Sequence, residues 1–188
     1  QTLLLFLLVF SVDTFALLTP TVDSIPMKDG RKLAVDVYIP SGISKGPVIL
    51  IQTPYNRQLY RLGLPLGIGL NLNNSNYILV VADWRGFYGS KKAAYIGSPD
   101  RGTDGYWLVE WIANQTWSNG KIGTWGPSAL GKIQFQTASK NPPHLTCICP
   151  LVAGPQFNYD EYFPNGCLRT EYVEQLDGLG FGLTNTLM

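Results

Sequence analysis

The chain has 188 residues, 45% of them apolar and only 14% charged, with a formal net charge of +1. That length holds one domain with a real core, and the composition excludes a disordered chain. The near-zero net charge sets up no field for nucleic acid or an anionic surface.

The first ten residues, QTLLLFLLVF, followed by SVDTFA, read as the apolar core and cleavage region of a secretory signal over residues 1–16. Thr14 and Ala16 are small enough for the −3 and −1 positions. The run is short for a membrane span and Asp13 interrupts it. A buried or membrane-anchoring apolar segment is the alternative. No initiating Met and no basic stretch precede the run, so the chain reads as cut at its start. The signal reading implies a secreted or periplasmic protein with no stable membrane anchoring after cleavage.

Residues 27–40, MKDGRKLAVDVYIP, give a turn at Asp29-Gly30 and then an alternating strand with Leu33, Val35, Val37 and Ile39 on one face. The continuous apolar runs in GPVILIQTPY and in YILVVADWRG (residues 77–86) suit strands covered on both faces, the mark of a parallel sheet. Residues 103–115, TDGYWLVEWIANQ, read as a helix capped by Thr103 or Asp104, with a stripe of Trp107, Leu108, Trp111 and Ile112. KIGTW is a short strand, residues 129–139 a helix, and LTCIC a further strand. The segment from Asn56 to Asn76 is a long loop with room for a short helix, and residues 168–177 form a helix opening a cap or subdomain. Strand, strand, strand, helix, strand, helix, strand is an α/β order, mostly parallel in its later part. This makes residues 17–150 part of one α/β domain and 151–188 the start of another unit.

Cys147, Cys149 and Cys167 allow two readings: one strand cysteine pairs with Cys167, or the strand pair consists of small buried apolar side chains. No ligand spacing supports a metal, and no cofactor is implied. The sequons at Asn73 and Asn114 matter only in a glycosylating secretory host, and unmodified asparagine is the simpler reading.

Ser128 stands in GTWGPSALGK, between a strand and a helix. Small residues around a serine permit a sharp turn that leaves Oγ exposed, and the following helix offers free N–H groups, that of Ala129 first. The second glycine, Gly131, falls one place later than in G-x-S-x-G, and an ordinary Gly-Pro-Ser turn remains the alternative. His144 is the single histidine. It enters its strand at the amino end, the opposite sheet edge from Ser128, and so reads as a surface loop residue rather than a general base. Asp160 and Asp177 follow Ser128, but no histidine follows them. Asp160 and Glu161 read as a solvated pair, with a substrate-binding or metal role as the alternative. Asp83 and Arg85 read as loop braces.

The stretches KDGRKLAVDVYIP, TPYNR, ADWRGFYGS and WIANQTWSNGKIGTWGPSALG occur in one order. In them, residues 27 to about 165 resemble the α/β-hydrolases grouped with cocaine esterase, X-prolyl dipeptidyl aminopeptidase and the α-amino acid ester hydrolases. The resemblance implies an incomplete α/β-hydrolase fold, the N-terminal half of the sheet. It implies Ser128 as acyl-accepting nucleophile, with the Tyr55 hydroxyl and the Ala129 N–H in the oxyanion hole. The triad Asp and His would lie beyond Met188. The expected whole is a serine hydrolase acting on a small-molecule or peptide ester or amide, and the piece alone would be slow or inactive. The competing expectation is a binding module that kept the turn and lost the base. The aromatic loop Phe157–Phe163, including Tyr159, is a candidate substrate wall.

Overall fold

The computed structural model describes residues 19–62, 75–96, 100–155 and 162–178. Residues 1–16, read above as a signal, and Asn73, Tyr159, Asp160 and Glu161 lie outside the described residues. Among the described residues six strands form one sheet: β1 (Thr21–Pro26), β2 (Lys32–Tyr38), β3 (Gly46–Thr53), β4 (Ile78–Asp83), β5 (Ser118–Pro127) and β6 (Leu145–Leu151). Helices α1 (Arg101–Ala113) and α2 (Ala129–Ser139) follow β4 and β5, and α3 (Thr170–Gly178) lies in the region read as the start of a cap. A 3-10 turn at Arg57–Leu62 fills the short-helix expectation for the long loop.

The spatial order is β1-β2-β4-β3-β5-β6. β1, β2 and β4 pair antiparallel, whereas β4, β3, β5 and β6 are parallel neighbours. The continuous runs at residues 48–51 and 78–83 are the paired strands β3 and β4, and all six residues of β4 are buried. One face carries Leu33, Val35, Val37, Val48, Leu50, Ile78, Val80 and Ile122 against Leu108, Val109 and Ile112 of α1. The other carries Ile51, Leu79, Val81, Tyr38 and Tyr60. Fully burying each such Leu, Ile or Val stabilises by roughly 1.5–3 kcal/mol.

The structure corrects three expectations. The cap of α1 is Asp100: its carboxylate accepts from the Thr103 N–H at 3.0 Å and the Thr103 hydroxyl at 2.7 Å. Asp104 is turned inward and is buried. The cysteines are free and exposed, and Cys147 and Cys149 lie on β6, an outer strand of the sheet among the described residues. β1 was not anticipated; only Ile25 of its six residues is buried, so it lacks an alternating signature.

Helices α1 and α2 touch through Gly105, where a Cβ would lie 2.8 Å from Thr137 Cβ. The Thr137 hydroxyl cannot swing away freely, since it accepts from Gln52 Nε2 at 2.9 Å inside the core. Gly105→Ala gains about 1 kcal/mol of helix propensity but overpacks a rigid contact, which typically costs about 1–3 kcal/mol. A lower urea midpoint is expected, partly recovered by Thr137→Ala in the same chain.

Partial burial alone would raise the Asp100 carboxyl. The Thr103 hydroxyl and N–H and the Lys140 ammonium outweigh it and hold the pKa below the ordinary value. A depressed folded-state pKa gives stability that is present above the unfolded value and lost as pH falls through the folded one. The contribution of this half-exposed cap should be about 1 kcal/mol at pH 7. Asp100→Ala should therefore lower stability at neutral pH, with the gap to wild type narrowing on acidification below about pH 4.

Candidate active site

The chain passes from β3 to β4 on one side of β3, then crosses by α1 to β5 on the other side. The strand order therefore reverses between β3 and β5. In an open α/β sheet this reversal opens a crevice at the carboxyl ends of the two strands. Leu50 of β3 is level with Thr124 of β5. Three residues further on, β3 ends at Thr53 and β5 at Pro127. Tyr55 and Ser128 thus leave neighbouring strands at the same edge, and both are exposed.

Ser128 has φ 53° and ψ −122°, a conformation that side chains rarely adopt. Its backbone is held from three directions. The N–H donates to Leu151 O at 3.0 Å, and the carbonyl accepts from the N–H groups of Gly131 and Lys132, both at 2.9 Å. The side chain makes no capping bond to α2. Ala129 opens that helix, so its N–H belongs to the first-turn amides that have no intrahelical acceptor.

The glycines explain how the turn closes. Gly126 has φ 148°, and a Cβ there would drive into the Leu130 side chain, reaching Cδ2 at 3.0 Å. A Cβ on Gly131 would lie 2.6 Å from Ala153 Cβ and 3.1 Å from Leu151 O. Gly131 is therefore the small residue that lets α2 approach the end of β6. This accounts for the G-x-S-x-x-G spacing.

Sequence reasoning missed Gln134, which is buried beneath the turn. Its Oε1 accepts from the Thr124 hydroxyl at 3.0 Å and the Cys149 N–H at 2.9 Å. Its Nε2 donates to Leu130 O at 2.9 Å and Gly126 O at 3.2 Å. One amide thereby ties β5, β6 and α2 together around Ser128. The available signal was a polar residue on the buried face of α2, beside Leu130, Ile133 and Thr137.

Tyr55 sits in a turn past β3. Its N–H donates to the Thr53 hydroxyl at 2.9 Å, and Asn56 follows with φ 74°. Arg57 then enters the interior. Its N–H and Nη1 donate to the two oxygens of Asp83 at 2.8 and 2.7 Å, and its Nε to Asp36 Oδ1 at 2.9 Å. Arg61 donates to both oxygens of Asp36 at 2.7 and 2.8 Å, and hydrogen bonding to that carboxylate raises its own pKa. Desolvation, then the Asp36 carboxylate, push the nearby Tyr38 phenol up to about 12, so it stays neutral. Asp36 was another missed residue. It lies on the face of β2 opposite Val35 and Val37, and is fully buried.

Asp83 and Arg85 brace loops, each through partners elsewhere. Arg85 forks onto Asp104 at 2.7–3.1 Å and reaches Asp29 at 2.7 Å. Hydrogen bonding to Asp104 raises its pKa further. His144 lies at the amino end of β6, where its carbonyl accepts from the Ile122 N–H and its Nδ1 is 2.8 Å from Glu110 Oε2. Ile122 to Ser128 spans the extended end of β5, about 20 Å at roughly 3.3 Å per residue. His144 and Ser128 therefore stand at opposite edges of the sheet.

Comparison with known proteins follows this geometry. Residues 29–186 match the family described as X-Pro dipeptidyl-peptidase (S15 family). The chain is 31% identical over 149 residues to cocaine esterase of Rhodococcus sp. (strain MB1 Bresler), covering 78% of this chain and 26% of that protein. Among solved structures it is similar to a CocE/NonD family hydrolase from Staphylococcus aureus, with 31% identity, a TM-score of 0.56, and coverage of 67% of this chain and 26% of the other. It is also similar to an α-amino acid ester hydrolase, with 25% identity, a TM-score of 0.60, and coverage of 76% and 27%. The chain spans about a quarter of the length of these relatives. The six-stranded sheet with its flanking helices is the α/β-hydrolase arrangement these neighbours share. On that match and that fold, the chain belongs to the X-Pro dipeptidyl-peptidase (S15) family.

Proposed function

We propose that the complete protein is a serine hydrolase of the acyl esterase or aminoacyl/dipeptidyl peptidase type. Ser128 forms the acyl-enzyme, and the Tyr55 hydroxyl and Ala129 N–H receive the oxyanion. The observation that carries this reading is the backbone of Ser128. A serine in a strained conformation, with its side chain exposed at the strand-order reversal and not used for capping, fits the role of an exposed nucleophile.

In this reading Ser128 Oγ attacks the carbonyl carbon of an ester or amide as its proton passes to a base. The carbonyl π electrons move onto oxygen, where the two donors meet the developing charge. Collapse expels the alcohol or amine, which takes up the proton. Water then repeats the sequence on the acyl-enzyme. Aiming donors at charge that exists only in the transition state lowers the barrier without tightening substrate binding.

The placement of His144 supports a base from elsewhere in the complete protein, with its orienting carboxylate. The esterase and ester hydrolase relatives support an ester substrate, and the dipeptidyl-peptidase family supports an amide. A non-catalytic module with the same turn is the competing outcome.

Fluorophosphonate labelling of the full-length protein tests the nucleophile. One label per chain is expected, lost in Ser128→Ala; undiminished labelling of that variant would remove Ser128 from the reaction. Tyr55→Phe should lower kcat by about 10²–10³-fold, the usual effect of losing one oxyanion donor, with little change in KM.

A further inference from the structure

Tyr55 is exposed in a short turn, between the buried Pro54 and the partly buried Asn56. The turn is held at both of its ends. The upstream end is the carboxyl terminus of β3, where Thr53 O accepts from the Trp84 N–H at 2.9 Å and the Thr53 hydroxyl accepts from the Tyr55 N–H at 2.9 Å. The downstream end is Arg57, two residues on, with only Asn56 between. Asn56 is left-handed at φ 74°, so the chain direction after Tyr55 is fixed by a bend that needs support.

Arg57 supplies that support in an unusual way. It is 5% exposed, and both of its acidic partners are fully buried. Its main chain and side chain grip the same carboxylate: N–H to Asp83 Oδ1 and Nη1 to Asp83 Oδ2. The Gly89 N–H adds a third bond to that carboxylate at 3.0 Å. The Nε bond to Asp36, which Arg61 also holds, ties the turn to β2. Buried charges in a balanced pair-of-pairs are costly to displace, because moving one strands the others without water. The turn is thus clamped at the point where Tyr55 leaves it.

We propose that Arg57 is a positioning residue for the oxyanion donor, acting through Asp83 and Asp36 to hold the Tyr55 hydroxyl in line with the Ala129 N–H. This rests on the oxyanion reading of Tyr55 given above. A planar guanidinium meets two carboxylates at fixed angles from Nε and Nη1, whereas an ammonium is a single point of charge. Arg57→Lys therefore keeps the charge and loses the fork.

The test is a double-mutant cycle in the full-length enzyme, with kcat referred to the fraction of chains that take up fluorophosphonate at completion. That reference removes unfolded protein from the comparison. Arg57→Lys should lower kcat by about 10–100-fold, the scale of a small misplacement of a catalytic group, with KM within about twofold. In a Tyr55→Phe background the same change should lower kcat less than about twofold, because no hydroxyl remains to be aimed. If Arg57→Lys fails to fold, Asp83→Asn, which keeps the shape and weakens the same grip, runs the same cycle. Unchanged kcat in the chosen single variant, or an equal loss with and without the Tyr55 hydroxyl, would overturn the positioning role. Wild-type kcat in Tyr55→Phe alone would overturn the oxyanion reading, and this inference with it. The two failures are therefore told apart by which single variant is silent.

Discussion

The backbone of one residue constrains everything around it. A non-glycine residue at the φ and ψ of Ser128 stores about 1–3 kcal/mol and persists only where its surroundings over-determine it. Here they do. Leu151 O takes its N–H, two amides of α2 take its carbonyl, and the Gln134 amide ties the carbonyls of Gly126 and Leu130 on either side. The residue itself is exposed, and its side chain makes no capping bond to α2. Strain and exposure are two consequences of the same tight turn.

The two ends of the crevice are held by different physics. The serine turn relies on close approach and neutral hydrogen bonds, which suit a place where two strands and a helix must nearly touch. Gly126 and Gly131 are small because neighbours occupy the space a side chain would need. The tyrosine turn is held at its downstream end by buried charge. Arg57 pairs with Asp36 and Asp83, and Arg61 with Asp36. A second charged cluster, Arg85 with Asp104 and Asp29, braces the start of α1 against the turn before β2. The Tyr95 hydroxyl also bonds Asp104 there. The carboxyl edge of this sheet is stiffened at three points, two of which flank the exposed Ser128 and Tyr55.

The sequence alone determined the class of the fold and the location of its exposed edge. Strands buried on both faces must be apolar throughout, so β3 and β4 were legible as continuous runs. A serine among small residues between strand and helix was legible as a candidate sharp turn, because small neighbours let the backbone fold back. Tyr55 was singled out by the family resemblance, whereas the separation of His144 from Ser128 was expected from chain order. β1 was not, since one buried residue in six leaves no periodic trace, and neither was the Asp100 cap, since Thr103 and Asp104 carry the same chemistry nearby.

Only the tertiary structure decided which polar residues hold the site. Arg57 meets Asp83 across 26 positions and Asp36 across 21, and Gln134 meets Cys149 across 15. Such pairings depend on which strands become neighbours, and the order β2-β4-β3-β5-β6 brings together residues that are remote along the chain. Periodicity reports whether a side chain faces a core. It carries no information about which buried charge or amide will be waiting there.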